Sequence, residues 1–160
     1  MQRLRRGEFP YFQSTDIRWN DNDTYGHVNN SGEFLLYPYS SSVFSVDGWV
    51  GSICYDFQCD QRLYGFAVEN ACTFHSSLRF PGGATARTTV ASLDIGLRIA
   101  SLGRTSVRSE VGIFQKGTKD PSATGYFVHV FVSRASGKPS PIPSNIREAF
   151  QRIQSKSAKL

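Results

Sequence analysis

Residues 125–132 read Gly-Tyr-Phe-Val-His-Val-Phe-Val, an almost unbroken apolar run inside the longer stretch 123–134. It is far shorter than the ~18 residues a membrane-crossing helix needs. It is rich in the β-branched and aromatic side chains that favour strands. A strand that is apolar on both faces must be covered on both, so this one belongs inside a sheet and not at its edge. Three strand-length segments precede it, at 64–80, 84–96 and 98–115, and Lys116 to Pro121 forms a polar loop before it. In 64–80, Phe66, Val68, Cys72 and Phe74 are expected on one face, with Pro81-Gly82-Gly83 as the closing turn. Thr15-Asp16-Ile17-Arg18-Trp19 alternates polar and apolar, which predicts a further strand over 13–21. A helix is expected over 28–46, on the apolar-rich run from Phe34 to Val46, followed by an irregular stretch to about 63. Pro38, inside that helix, predicts a kink or a break near Leu36. At the end of the chain Ser144 is a candidate N-cap, and Ile146, Ala149, Phe150 and Ile153 form the stripe of a short amphipathic helix on the sheet rim. One long helix and a run of strands make an α+β domain.

The 160 residues fit one domain, 1–160, with its core at about 9–154. Twelve Phe, seven Tyr and two Trp suit a β-rich core large enough to need no disulfide or metal. The three cysteines, Cys54, Cys59 and Cys72, are odd in number and have no paired spacing. They point to a reducing, cytoplasmic setting and give no basis for a metal site. The net charge of +5 suits a polyanionic small ligand. Lys and Arg are scattered, which argues against nucleic acid. Met1 to Arg6 is basic but has no apolar run behind it, so no secretory signal is expected, and no stretch approaches the ~18 continuous apolar residues of a transmembrane helix.

The chemistry concentrates in Arg18-Trp19-Asn20-Asp21-Asn22-Asp23-Thr24-Tyr25-Gly26-His27-Val28-Asn29-Asn30. A strand leads in and the expected helix leads out. Such a turn offers free backbone N–H groups and a positive dipole end. A carboxylate beside those donors can activate water while the donors polarise a carbonyl. A calcium loop is excluded: counted from Asp21, the fifth ligand position is Tyr25 and the twelfth is Gly32. There is no Gly-x-Ser-x-Gly elbow for a serine nucleophile. For Asp23 the competing role is capping the helix. For Asn29 and Asn30 it is satisfying the turn.

This stretch resembles the opening motif of the hotdog-fold acyl-CoA thioesterases of the 4-hydroxybenzoyl-CoA thioesterase-like branch. The likeness continues in 68–81, in Leu102-Gly103-Arg104-Thr105-Ser106-Val107-Arg108, and in 125–132. The resemblance implies an antiparallel sheet wrapped around a central helix, and a homodimer or dimer of dimers with sites at the subunit interface. It implies hydrolysis of an acyl-CoA to a carboxylic acid and coenzyme A, with no separate cofactor. Asp23 aligns with the carboxylate that acts as base or nucleophile, while Asp21 would orient the turn. Gly26, His27 and Val28 would offer N–H groups to the thioester oxygen, and Asn29 and Asn30 would position water or substrate. Arg104, Thr105 and Ser106 fall in the family's pantetheine and nucleotide contact region. Phosphates need cations, and Arg79, Arg98, Arg104 and Arg108 are candidates. Similar proteins carry an acid where Pro38 stands, with Glu33 a shifted substitute. That departure favours one rival, a non-catalytic acyl-CoA or acyl-carrier binding module. The Asp-x-x-Gly-His-Val-Asn-Asn opening argues against the other, a hotdog dehydratase.

Overall fold

The computed structural model describes residues 3–17, 22–28, 62–78 and 92–155. Five strands form one sheet: β1 (Tyr11–Asp16), β2 (Leu63–Phe74), β3 (Ser92–Leu102), β4 (Ser106–Gln115) and β5 (Ala123–Ser133). Their order is β1-β3-β4-β5-β2, and every neighbouring pair is antiparallel. The apolar strand β5 is indeed internal, between β4 and β2. The opening strand begins earlier than expected, at Tyr11.

The hairpin boundary differs from the expectation of strands at 84–96 and 98–115. β3 runs through Gly96 to Leu102, and the chain turns at Gly103-Arg104-Thr105, where the Gly103 N–H donates to the Ser106 carbonyl at 2.8 Å. Gly96 is paired with Gly112 across β3 and β4, and the Phe9 ring rests on both. A Cβ on Gly96 would lie 2.8 Å from Phe9 Cγ. Gly96 is therefore a close-approach glycine and not a turn.

The β2 face pattern also differs. The pairing with β5 shifts between Ala67 and Glu69, a bulge that reverses which side later residues face. Phe66 pairs with Val130 on one face, while Cys72 and Phe74 pair with Gly125 and Ala123 on the other. β2 ends at Phe74, not at residue 80, because the His75 and Ser76 N–H groups both turn to the Ser122 carbonyl, at 2.7 and 3.1 Å.

One face of the sheet is apolar. Ile99, Val107 and Phe131 receive α1 (Ser144–Arg152) through Ile146 and Phe150, with Ile142 beside them. Each such side chain contributes about 1.5–3 kcal/mol on burial. The helix lies on this face through its apolar stripe, and Pro143, not Ser144, is its N-cap residue. The opposite face is covered by the N-terminal segment. Phe9, Phe12 and Phe114 meet edge to face, and Leu4 is buried with them. Arg6 fixes the segment: its guanidinium donates to Asp94 Oδ2 and to the Thr118 carbonyl, both at 2.7 Å, and lies over the Phe12 and Phe114 rings. The helix expected over 28–46 falls outside the described residues, except Val28. Val28 forms an antiparallel bridge with Asn22 and is not helical.

Candidate active site

After β1 the chain reaches Ile17, which is buried with Val28, Leu78, Leu93, Ile113 and Ala123 in one cluster. That cluster anchors a short loop at 22–28. The Asn22–Val28 bridge closes the loop at its base. Inside, the Asp23 N–H donates to the His27 carbonyl at 2.7 Å, and the Gly26 N–H to the Asp23 carbonyl at 3.1 Å. Gly26 sits at φ 74°, where a side chain would strain the backbone.

The Asp23 carboxylate completes the loop from within. Its Oδ1 accepts from the Tyr25 N–H at 2.8 Å and from the His27 N–H at 3.1 Å. Asp side chains close turns in this way because the short carboxylate reaches the amide two residues on. Within 22–28, which is a loop and not a helix, Asp23 closes a turn instead of capping a helix, and this occupies one oxygen. Oδ2 has no partner among the described residues. Pinning Oδ1 on two N–H groups gives the carboxylate a defined orientation, which a base or nucleophile needs.

The donors expected for the thioester oxygen are placed differently. The N–H groups of Gly26 and His27 are taken by Asp23, and that of Val28 donates to the Leu78 carbonyl at 2.8 Å. All three therefore build the Asp23 cradle and its anchorage, not an oxyanion hole. Asn29, Asn30, Asp21 and Arg79 lie outside the described residues.

Arg104, Thr105 and Ser106 form the β3–β4 turn, at the opposite end of the sheet. The Asp23 loop packs beside Leu93. From Leu93 to Leu102 the strand advances nine residues, about 30 Å. One chain does not bring that turn to its own Asp23. The turn is rigid: the Arg104 carbonyl accepts from the Ile142 N–H at 2.9 Å and from the Arg147 guanidinium at 3.2 Å, and the Thr105 carbonyl accepts from the Phe131 N–H at 2.8 Å. The Arg104 side chain is exposed. Two other candidate cations are already engaged. Arg98 donates to Glu110 at 2.6 Å in a mostly buried pair, and Arg108 lies 3.6 Å over the Tyr126 ring.

Two polar groupings near the Asp23 end were not singled out from sequence. His75 Nε2 lies 2.8 Å from Thr124 Oγ1, and either atom can donate, according to the imidazole tautomer. Burial, with smaller help from the positive charge of Arg3, lowers the His75 pKa and favours the neutral ring. Asp94 is buried on the face that the Leu4–Phe12 segment covers, where Ser14 Oγ donates to it at 2.6 Å. Burial pushes its pKa up, but the bonds from Ser14 and Arg6 outweigh this and hold it below the usual carboxylate range. The sequence signal available was weak in both cases: a His where a strand ends, and an Asp amid apolar residues. Among the described residues no three His, Cys, Asp or Glu side chains gather as a metal set, and no helix is long and apolar enough to cross a membrane.

Residues 17–150 match the family model described as the thioesterase-like superfamily. Among curated proteins none matches. Among solved structures, the PA5185 protein of Pseudomonas aeruginosa is 32% identical, with 97% of this chain and 99% of that one covered at a TM-score of 0.78. A thioesterase of Thermus thermophilus, complexed with coenzyme A and Zn, is 25% identical over 89% of this chain and 98% of its own, at 0.63. A 1,4-dihydroxy-2-naphthoyl-CoA thioesterase of Synechocystis shares the fold at 15% identity, over 88% of this chain and 95% of that one, at 0.66. With the antiparallel five-stranded sheet and the matched length of chain, these findings establish that the protein belongs to the thioesterase-like superfamily, a thioester hydrolase with the hotdog fold.

Proposed function

We propose that this chain hydrolyses acyl-CoA thioesters to a carboxylic acid and coenzyme A, and that Asp23 Oδ2 is the reacting oxygen. The observation that carries the assignment is the Asp23 cradle: Oδ1 is held by two backbone N–H groups while Oδ2 has no partner among the described residues. Two routes use the same atom. As a base, Oδ2 takes a proton from water as the water oxygen bonds to the thioester carbon; the tetrahedral intermediate then expels the thiolate, which is protonated. As a nucleophile, Oδ2 bonds to that carbon and expels the thiolate, and water cleaves the resulting mixed anhydride. Coenzyme A is part of the substrate, and neither route needs a metal or a redox cofactor.

With their N–H groups engaged, Gly26, His27 and Val28 are not the donors to the carbonyl oxygen in this arrangement, and Asn29 and Asn30 keep the role of positioning water or substrate. The nucleotide contacts assigned to Arg104, Thr105 and Ser106, with Arg79, are consistent with Asp23 only if that turn comes from a second copy of the chain. This favours a homodimer, or a dimer of such dimers. The outer edge of β2 suits such an assembly, since it is long and leaves Phe66 and Val68 51% and 61% exposed. A cytoplasmic location fits the cysteine pattern.

The test is Asp23→Asn. Asn keeps both turn bonds, because its side-chain oxygen accepts as the carboxylate does, but it has no negative charge. Turnover, read as thiol released from a panel of acyl-CoAs, should fall at least ~10²-fold while acyl-CoA binding survives. A mutant that hydrolyses within about threefold of the parent removes Asp23 from the mechanism.

A further inference from the structure

We propose that Thr124 and His75 are positioning residues for the catalytic loop, acting through the segment 75–78; the inference rests on the reading of Asp23 above. The loop is tied to that segment by the Val28 N–H, which donates to the Leu78 carbonyl at 2.8 Å. The segment is in turn held by the start of β5. The Ser122 carbonyl accepts from both the His75 and Ser76 N–H groups. Thr124 Oγ1 bonds the His75 ring at 2.8 Å.

The grip comes from both faces of the sheet. Ala123, 0% exposed, packs on Val28 and Leu78 on one side. Successive residues of a strand point to opposite faces, so the hydroxyl of Thr124, a residue 2% exposed, reaches His75 on the other. Between His75 and Leu78 there are only three residue steps. A change in the seating of His75 is therefore passed to the Leu78 carbonyl, and from there to the loop that aims Asp23 Oδ2. The reactive oxygen has little tolerance, because a misplacement of about 1 Å can cost on the order of 10²-fold in rate. Neither Thr124 nor His75 touches Asp23 in this arrangement.

The experiment compares Thr124→Val, Thr124→Ser, His75→Ala and Asp23→Asn for kcat, KM and melting temperature, with an acyl-CoA that the parent hydrolyses. Thr124→Val keeps the shape and deletes the hydroxyl. The expected result is a kcat about tenfold lower or more, with KM within about twofold, because substrate contacts remain while the loop is mis-seated. Thr124→Ser keeps the hydroxyl and should restore most of kcat. His75 is only partly buried, so His75→Ala leaves no sealed cavity and folds even if Thr124→Val does not; it should reproduce the loss in kcat. The clamp is overturned if His75→Ala or a folded Thr124→Val keeps kcat within about twofold of the parent while Asp23→Asn is dead. It is equally overturned if Thr124→Ser falls as far as Thr124→Val. Turnover that survives Asp23→Asn overturns the reading of Asp23 and the clamp with it.

Discussion

The packing of Phe9 on a pair of glycines can be tested by placing a methyl group beneath it. Gly112→Ala puts a Cβ 2.7 Å from Phe9 Cζ, 2.8 Å from Phe9 Cε2 and 2.7 Å from Phe114 Cε2. Carbon atoms in favourable contact sit about 3.5–4.0 Å apart, so the rings must retreat by roughly 1 Å. Phe114 is 0% exposed and has nowhere to go while Phe9 stays in place. Overpacking of this kind costs about 1–3 kcal/mol. Phe9→Ala deletes a side chain that is 5% exposed. Full burial of Phe is worth about 3–5 kcal/mol on truncation, and the low end applies because Phe9 lies outside any strand or helix, in a segment that can settle into part of the gap. In the Phe9→Ala background the new methyl of Ala at position 112 occupies vacated space. The double variant should therefore be about as stable as Phe9→Ala alone, a coupling of about 1–3 kcal/mol relative to the sum. Urea denaturation at fixed protein concentration, with equal m-values, measures all four proteins. Additivity within about 0.5 kcal/mol, or a Gly112→Ala variant that costs nothing, would refute the account of the two glycines.

Asp94 supplies a pH test. Its folded pKa is depressed below the usual value near 3.8, so its bonds to Ser14 and Arg6 contribute stability above that value and lose it as pH falls through the lower folded value. Asp94→Asn should thus melt lower than the parent at about pH 7, and the gap should close in acid; a gap that is constant down to about pH 3 contradicts the assignment. If exposed cations hold the nucleotide phosphates, acyl-CoA affinity should weaken as salt rises while acyl-pantetheine affinity hardly changes. Equal salt dependence for the two compounds would remove Arg104 from the substrate site. Light scattering at micromolar concentration should give at least twice the 17.8 kDa chain mass; a monomer would end the shared-site proposal.

Sequence patterning located the elements better than it located their ends. The internal position of β5 followed from its two apolar faces, and the final helix followed from the spacing of Ile146, Ala149 and Phe150. The hairpin was misplaced because a glycine reads as a turn unless its neighbour in space is known. Gly96 is required by Phe9, which is distant in sequence and carries no local signal. The β2 bulge escaped notice for a related reason: alternation counted along one strand does not reveal where its partner slips by a residue. In the candidate site, the turn around Asp23 was legible from its motif, because turn chemistry is local. The assignment of the Gly26, His27 and Val28 N–H groups was not, since it depends on Leu78 and on which carboxylate oxygen turns inward. Arg98 looked available until Glu110 was placed opposite it.

The N-terminal strap has a consequence for the order in which the protein assembles during synthesis. Phe9 leaves the ribosome long before the surface it rests on, Gly96 and Gly112, and Arg6 awaits Asp94, 88 positions later. β1 is in the same position, since Tyr11 pairs with Leu97. Closing so long a loop is entropically costly and is rewarded only once its target exists. The β3–β4 hairpin can form from neighbouring residues; the segment from Leu4 to Asp16 must join it afterwards. Until residues past Gly112 have emerged, Leu4, Phe9 and Phe12 are greasy and unhoused, and this is the interval in which a nascent chain of this kind is exposed to chaperones and to aggregation.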